Sequence, residues 1–314
     1  MYIDPVNKEL LNGFVKQAEN FMSNQALTFN EFKGSKYSGR PHYFVIGHPI
    51  SHSLSPIMHN LSLQHYGVNA RYFAIDLKPQ SVNDFISWMN RDAFLGCNIT
   101  IPYKKQLLNV PDLLSAEAES VGAINTISKD DSGTQLTGHN TDIYGFQQPL
   151  LEYDDHLDYG RAIVFGSGGA SLAVQFALAD LGFEDIVIVS RSPMSVEPLK
   201  GAHHTTVVDY SQWQSYSDEA CLIVNTTPIG MGKFKLKSVI EDREAHLLSE
   251  KVCYDLVYNP LKTKFLQQAE TGGGIAVNGL DMLISQGSRS HEIWTGNVFP
   301  YESVKNELLT FFES

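Results

Sequence analysis

From Tyr43 onward, short apolar runs alternate with longer segments whose apolar residues recur at helical spacing. "YFVIG" precedes a helical segment from about Pro56 to Tyr66, "RYFAIDL" precedes one around Phe85 to Met89, and "FLGCNIT" follows. The runs are nearly continuous rather than alternating apolar and polar, as expected for strands covered on both faces by helices, so they predict parallel βαβ units. "INTIS" and "TQLTGHN" flank "KDDSG" and predict a hairpin. A second alternating series starts at Arg161: "RAIVFG", "SGGASLAVQFALADLGF", "EDIVIVS", "HHTTVVDY", "CLIVNTTP" and "VCYDLVY". The helical "TKFLQQAETGGG", the strand "IAVNG" and two closing helices to Phe312 complete it. Ahead of both series, Leu11, Phe14, Val15, Ala18 and Met22 recur at helical spacing after Asp4 and Pro5, and "KGSKYSGRP" reads as a linker. The pattern predicts two α/β domains, with the closing helices returning to the first.

Composition narrows what such a chain can do. At 314 residues, it exceeds the size at which a single core stops growing, and 43% hydrophobic with 18% charged residues fits a globular protein. A formal net charge of -12 argues against nucleic acid and against an anionic membrane surface. No apolar run reaches the roughly 18 residues of a membrane-crossing helix, and "MYIDPVNKEL" lacks a basic-then-apolar signal. A cytoplasmic location follows as the expectation. Cys97, Cys221 and Cys253 are odd in number, far apart and set in strand-like runs, so they read as buried reduced thiols with neither a disulfide nor a metal.

The second series opens on candidate chemistry. "VFGSGGAS" places Gly166, Gly168 and Gly169 between a strand and an alanine-rich helix. Glycines there allow a tight turn and close backbone approach, and the helix N-terminus offers unpaired N–H groups to a pyrophosphate. An ordinary βα turn accounts for the same residues, and Ser171 stands where the fingerprint has its third glycine. After the next strand, "IVSRS" puts Arg191 where dinucleotide folds carry an acid for the ribose 2'-hydroxyl. A guanidinium suits a 2'-phosphate and favours NADP; stacking on adenine, open to NAD as well, is the alternative.

Reduction of a carbonyl with a nicotinamide also needs a proton donor. "GCNITIPYKKQLL" offers Lys104 just after a strand end, and "GHNTDIYG" offers Asp142 at a strand-to-helix turn. Each has a plain alternative: a solvated lysine at a helix start, and an aspartate favoured by a helix dipole.

The ordered set "GHPISHSLSP", "GCNITIPYK", "ESVGAINTI", "GHNTD", "GSGGAS", "NTTPIGM", "DLVYNP" and "NGLDMLISQG" closely resembles the shikimate dehydrogenase family over roughly Tyr43 to Gly296. The resemblance implies an N-terminal α/β substrate domain over residues 42–148, completed by helices in 280–314, and a Rossmann-type NADP domain over 149–279. Residues 1–41 form an extension with no counterpart in the family pattern. The implied reaction is reversible reduction of 3-dehydroshikimate to shikimate with NADPH. Lys104 and Asp142 match the catalytic pair, with Asp142 orienting substrate hydroxyls and pairing with the lysine. Ser53 and Ser55 match the carboxylate-binding serines, and Thr100, Asn125, Tyr258 and Gln286 match further substrate contacts. Gly166, Ser167, Gly168, Gly169 and Ala170 match the pyrophosphate loop, and Ser190, Arg191 and Ser192 stand where the family has "NRT". Thr226, Leu256 and Gly279 fall at the remaining cofactor positions.

Some features depart from the pattern. "SRSPMS" lacks the second basic residue of NADP-preferring members, which leaves NAD possible. His48, His52 and His59 cluster near the serines, yet Pro49 and Pro56 interrupt their spacing, and turn and helix-surface roles account for them better than a metal. Ser55 before Pro56 reads as a helix cap followed by a first-turn proline. Quinate, with or without shikimate, is the rival substrate, and a non-catalytic sensor of a shikimate-like ligand is a third reading. The partner is a small molecule in each case, and a monomer or a homodimer fits equally.

Overall fold

A computed structural model of the chain describes residues 26–196 and 204–313. The predicted helix over Leu11–Met22 lies outside the described residues. Chain contacts divide the molecule into two compact units. Of the described residues, one holds those up to Leu113 with Asn125–Gly138 and those from Ser290; the other holds Leu114–Ile124 and those between His139 and Arg289.

The first unit carries a seven-stranded sheet of order β1-β3-β2-β4-β6-β7-β5. Its strands are β1 (Leu27–Thr28), β2 (His42–Gly47), β3 (Arg71–Asp76), β4 (Phe94–Ile99), β5 (Leu113–Leu114), β6 (Thr126–Lys129) and β7 (Leu136–His139). β1, β3, β2 and β4 pair in parallel, and β6 turns back antiparallel to β4 with Asn98 opposite Thr126. The expected hairpin is present: β6 and β7 are neighbours, and Asp130 closes the turn by donating N–H to Gln135 O at 3.0 Å.

Residues 27–34 belong to this unit, although the sequence pattern leaves them with the extension. β1 pairs with β3, and the helix Phe29–Gly34 buries Phe29 and Phe32. Phe32 packs edge-on to Phe44 at 4.7 Å, and Phe29 edge-on to Phe85 at 5.4 Å. The signal is in the sequence as "TFNE": the Thr28 hydroxyl accepts from the Glu31 N–H while the Glu31 carboxylate accepts from the Thr28 N–H, a capping box that starts the helix. The segment around Phe85 forms a helix over Val82–Trp88, somewhat earlier than expected.

The second unit carries β8 (Arg161–Phe165), β9 (Asp185–Val189), β10 (His204–Val208), β11 (Ala220–Asn225), β12 (Val252–Asp255) and β13 (Ile275–Val277). All pairs are parallel and the order is β10-β9-β8-β11-β12-β13. Counted from β8, that is 3-2-1-4-5-6, the doubly wound dinucleotide order, whose reversal between β8 and β11 opens a crevice at the strands' C-terminal ends. The expected pairing of an α/β unit with a Rossmann-type unit is what the chain forms. Among the described residues, no helix is long and apolar enough to cross a membrane.

Cys97 and Cys253 are buried as expected, whereas Cys221 is half-buried; all three are free. Burial pushes the Cys221 thiol up to about 11, so it stays protonated and unreactive near neutral pH.

Candidate active site

In the first unit the candidate residues gather at one end of the sheet because the strands that deliver them run parallel. Gly47 ends β2, Thr100 follows β4, and Asn125 precedes β6, which starts where β4 ends because the two are antiparallel. Ile99 N–H donates to Asn125 O at 2.7 Å, and Thr100 N–H to Ile46 O at 2.9 Å. A Cβ on Gly47 would meet Thr100 Cγ2 at 2.5 Å, so only glycine lets the two segments approach this closely. Lys104 sits in the short helix Tyr103–Gln106, half-buried, directly after buried Tyr103, whose hydroxyl donates to Leu77 O beyond β3.

The serine turn differs from the sequence expectation in one respect. Ser55 is not the cap: the helix Ser55–His65 begins on it, Leu54 occupies the capping position in a helical conformation, and no side chain caps there. Ser53 does part of that work instead, its Oγ accepting from the Ser55 N–H at 3.3 Å. Because Ser53 accepts here, its own hydroxyl proton stays available to donate. Ser55 is 6% exposed and lies near enough to the Tyr72 phenol to oppose the rise in pKa that burial gives it.

A buried polar chain continues from that phenol. Tyr72 Oη donates to Asn98 Oδ1 at 2.7 Å, and Asn98 Nδ2 donates to Thr126 Oγ1 and Ser290 Oγ, both at 2.9 Å. Thr126 Oγ1 in turn donates to Asn125 Oδ1 at 3.1 Å. The candidate contact Asn125 is thus oriented by a network that reaches back to Tyr72, near Ser55. Sequence reasoning missed Tyr72, Asn98, Thr126 and Ser290. The motifs "CNIT" and "INTI" carry two of them, but polar residues in strands signal burial only once the sheet is known.

The histidines divide. His48 Nδ1 pairs with Asp76 Oδ1 at 2.7 Å across the ends of β2 and β3. His52 is exposed. His59 is not on the helix surface: it is 1% exposed and stacks on Tyr72 with ring centroids 4.3 Å apart, and burial, aided by nearby His291, holds its pKa well below the usual value. Among the described residues, no group of three or more His, Cys, Asp or Glu side chains has metal-binding geometry.

In the second unit, Asp142 opens the helix Asp142–Leu150 and is 5% exposed; its N–H donates to Asn140 Oδ1 at 3.2 Å, and Asn140 Nδ2 to Ala123 O at 2.9 Å. One turn on, a Cβ on Gly145 would come within 2.6 Å of Gln286 Cβ, so this helix packs closely on Leu280–Thr295 at Gln286. Asp142 and Gln286 therefore lie on neighbouring helices.

The glycine loop follows β8. Gly166 has φ +116 and its added Cβ would meet Thr226 Oγ1 at 2.4 Å; Thr226 Oγ1 donates to Phe165 O at 2.7 Å. Ser167 and Ser190 hydroxyls meet at 3.2 Å, joining the loop to the end of β9. The helix Gly169–Asp180 has Gly168 at its cap with no side-chain hydrogen bond, and a Cβ on Gly168 would meet nothing within 4 Å. The helix start thus has no side-chain cap and follows exposed Ser167 and Gly168, as a pyrophosphate site requires. Arg191 and Ser192 follow β9 and are exposed.

Leu256 and Gly279 are brought together: a Cβ on Gly279 would meet Leu256 O at 2.2 Å, so no larger residue fits. The loops bearing Thr226, Leu256 and half-buried Tyr258 are pinned by Asp255, another group missed from sequence. Asp255 accepts from Asn225 Nδ2 at 2.9 Å, Thr263 Oγ1 at 2.6 Å and Val257 N–H at 3.0 Å. Burial nonetheless pushes its carboxyl up to about 7.

A chain that carries a doubly wound sheet of dinucleotide order in one unit, and in the other an α/β sheet with a serine turn and a lysine after its strand ends, has a two-domain dehydrogenase architecture. The profile of the shikimate dehydrogenase substrate binding domain matches residues 45–127. The shikimate dehydrogenase (NADP(+)) of Caldanaerobacter subterraneus subsp. tengcongensis is 34% identical over 273 residues, covering 84% of this chain and 96% of that one. Shikimate 5-dehydrogenase from Thermus thermophilus, solved with NADP(H) and shikimate, superimposes with a TM-score of 0.75 at 33% identity over 86% of this chain and 99% of that one. Quinate dehydrogenase from Corynebacterium glutamicum, solved with NAD, gives 0.78 at 26% identity over 86% and 99%. This chain belongs to the shikimate dehydrogenase family.

Proposed function

We propose that the protein catalyses the reversible reduction of 3-dehydroshikimate to shikimate with NADP(H). The observation that carries this reading is the gathering of Ser53, Thr100, Lys104 and Asn125 at one end of the first sheet, in a chain whose second sheet ends in an uncapped glycine loop. Residues 42–148 with 280–314 serve the substrate, and 149–279 the nucleotide.

Gly166, Ser167, Gly168, Gly169 and Ala170 hold the pyrophosphate, Ser190, Arg191 and Ser192 the adenosine end, and Thr226, Leu256 and Gly279 the nicotinamide end. NADPH supplies the hydride for the ring ketone. Lys104 stabilises the negative charge that develops on the ketone oxygen and donates a proton to it. Asp142 accepts from substrate hydroxyls and fixes the ring, with Thr100, Asn125, Tyr258 and Gln286 as further contacts. At a net charge of -12 the global field does not draw in an anion, so local donors must hold the carboxylate. The free hydroxyl proton of Ser53 serves that purpose, with Ser55 beside it.

Quinate is the second reading, favoured by the likeness to the Corynebacterium enzyme. It adds one hydroxyl on the carboxylate-bearing carbon, a small difference for a pocket to reject. Initial rates with shikimate and quinate, each with NADP and NAD, decide between them: the proposal expects shikimate with NADP to give the highest kcat/KM. A higher value for quinate with NAD transfers the assignment to the second reading. Binding of shikimate without turnover by either cofactor marks a sensor. The protein works in the cytoplasm on a small molecule, without nucleic acid or membrane, as a monomer or homodimer; sedimentation velocity distinguishes the last two.

A further inference from the structure

"SRSPMS" supplies one basic residue, Arg191, where a 2'-phosphate carrying about two negative charges would have to be held. β9 and β10 run parallel with Val189 opposite Val208, and Ser190 N–H extends the ladder by donating to Val208 O at 2.9 Å. Arg191 and Tyr210 each lie two residues beyond these paired strand ends, on neighbouring strands of the sheet. The Tyr210 ring leans on Phe165, the last residue of β8 before the glycine loop, with centroids 5.6 Å apart. Tyr210 is therefore anchored at the C-terminal ends of three adjacent strands, the end at which doubly wound sheets bind nucleotides.

The chemistry around it is suited to an anion. Burial raises the pKa of the phenol while the Arg191 cation works against that rise, so the guanidinium is near enough to act on it. Among the described residues, no hydrogen bond or ion pair engages the Tyr210 hydroxyl or the Arg191 guanidinium. Asp209, the one acid beside them in sequence, has its carboxylate turned into its own loop, where Oδ1 accepts from Ser211 N–H at 2.7 Å and Ser211 Oγ at 2.6 Å. A neutral phenol next to a guanidinium adds a directed donor without the repulsion a second cation would bring.

Resting on the reading of NADP as cofactor, we propose that Tyr210 is a specificity residue that donates its hydroxyl to the 2'-phosphate, in place of the second basic residue that "SRSPMS" lacks. The test is calorimetric titration of the full-length protein and its Tyr210→Phe and Arg191→Ala variants with NADP, NAD, adenosine 2',5'-bisphosphate and 5'-AMP. Phenylalanine keeps the ring against Phe165 and removes only the hydroxyl. Loss of a hydrogen bond to a charged group weakens binding about tenfold, so Tyr210→Phe is expected to raise the Kd of NADP and of the bisphosphate by that factor relative to NAD and 5'-AMP. The double variant should lose less than the two single losses combined, because both groups hold one phosphate. Equal weakening for all four ligands would mean ring packing alone and overturn the proposal. So would an unmoved NADP affinity in Tyr210→Phe alongside a weakened one in Arg191→Ala. If the unsubstituted protein binds NAD as tightly as NADP, the cofactor reading itself fails and takes the Tyr210 role with it.

Discussion

The second sheet is packed with branched aliphatics such as Ile163, Val164, Ile186 and Val187, all fully buried, and confines its polar pins to the strand ends, where Asn225 and Thr263 hold Asp255. The first sheet is packed with rings, Phe32 against Phe44 and His59 on Tyr72, and a hydrogen-bonded chain runs through it from Tyr72 to Asn125. Nucleotide binding asks for backbone N–H groups at a helix start, which any well-packed parallel sheet can present. A small polyhydroxylated acid asks for particular side chains at particular angles. A buried network supplies those angles because each unmet bond costs free energy.

The contrast can be broken most severely at Lys104. Lys104→Ala should lower kcat for shikimate oxidation about a thousandfold, the scale of lost acid–base catalysis, while the Kd of NADP stays within a few-fold. A kcat near that of the unsubstituted enzyme would remove the lysine from the chemistry.

Next comes the network. Asn98→Ala leaves Tyr72, Thr126 and Ser290 short of partners in a buried site and should cost about 3 kcal/mol in urea unfolding. Ile188→Val, deep in the second sheet, should cost only about 1 kcal/mol. Equal costs would mean that the polar chain is no more demanding than aliphatic packing.

The two sheets should also respond to pH with opposite sign. In the first unit, Trp88 donates to His42 Nε2 at 3.1 Å and His42 Nδ1 donates to Arg40 O at 2.7 Å, which fixes the neutral ring. Burial pushes His42 from 6.5 down to about 4, so its contribution is full above pH 6.5 and is lost as pH falls to about 4. That contribution reaches about 3 kcal/mol. In the second unit Asp255 is raised from 3.8 to about 7, so the folded state holds its proton longer and loses stability as pH rises across that window. Relative to the parent, His42→Gln should gain stability as pH falls through the first window, and Asp255→Asn as pH rises through the second. Urea midpoints measured from pH 4 to 8 check both signs.

The smallest effect is expected at the serine turn. Ser53→Ala should raise the KM for shikimate about tenfold and change kcat less, since it removes one donor to a bound anion. A fall in kcat with KM unchanged would place Ser53 elsewhere in the cycle.

The second unit was largely legible in its sequence. Continuous apolar runs separated by helical segments specify parallel strands, and the glycines of "GSGGAS" mark the β8 turn, because Gly166 has a positive φ and Thr226 against it. The first unit was less so. Residues 27–34 read as part of an extension because a two-residue edge strand has no periodicity to detect, although the capping box of Thr28 and Glu31 was there. His59 read as a surface residue because helical spacing does not say which neighbour covers a face, and Phe299 and Trp294 arrive from more than 200 residues away. The cap at Ser55 failed for a local reason: Leu54 already has helical backbone angles.

By itself, the sequence determined the elements, the two α/β units and the motifs, since hydrophobic period, glycine placement and short ordered signatures are local properties of the chain. Only the tertiary structure decided that Asn98 would tie β3, β6 and the last part of the chain together, and that Asp255 would pin two loops. Partners such as Asn98 and Ser290 stand 192 residues apart, and a hydrogen bond between them depends on sheet order, which no local pattern encodes.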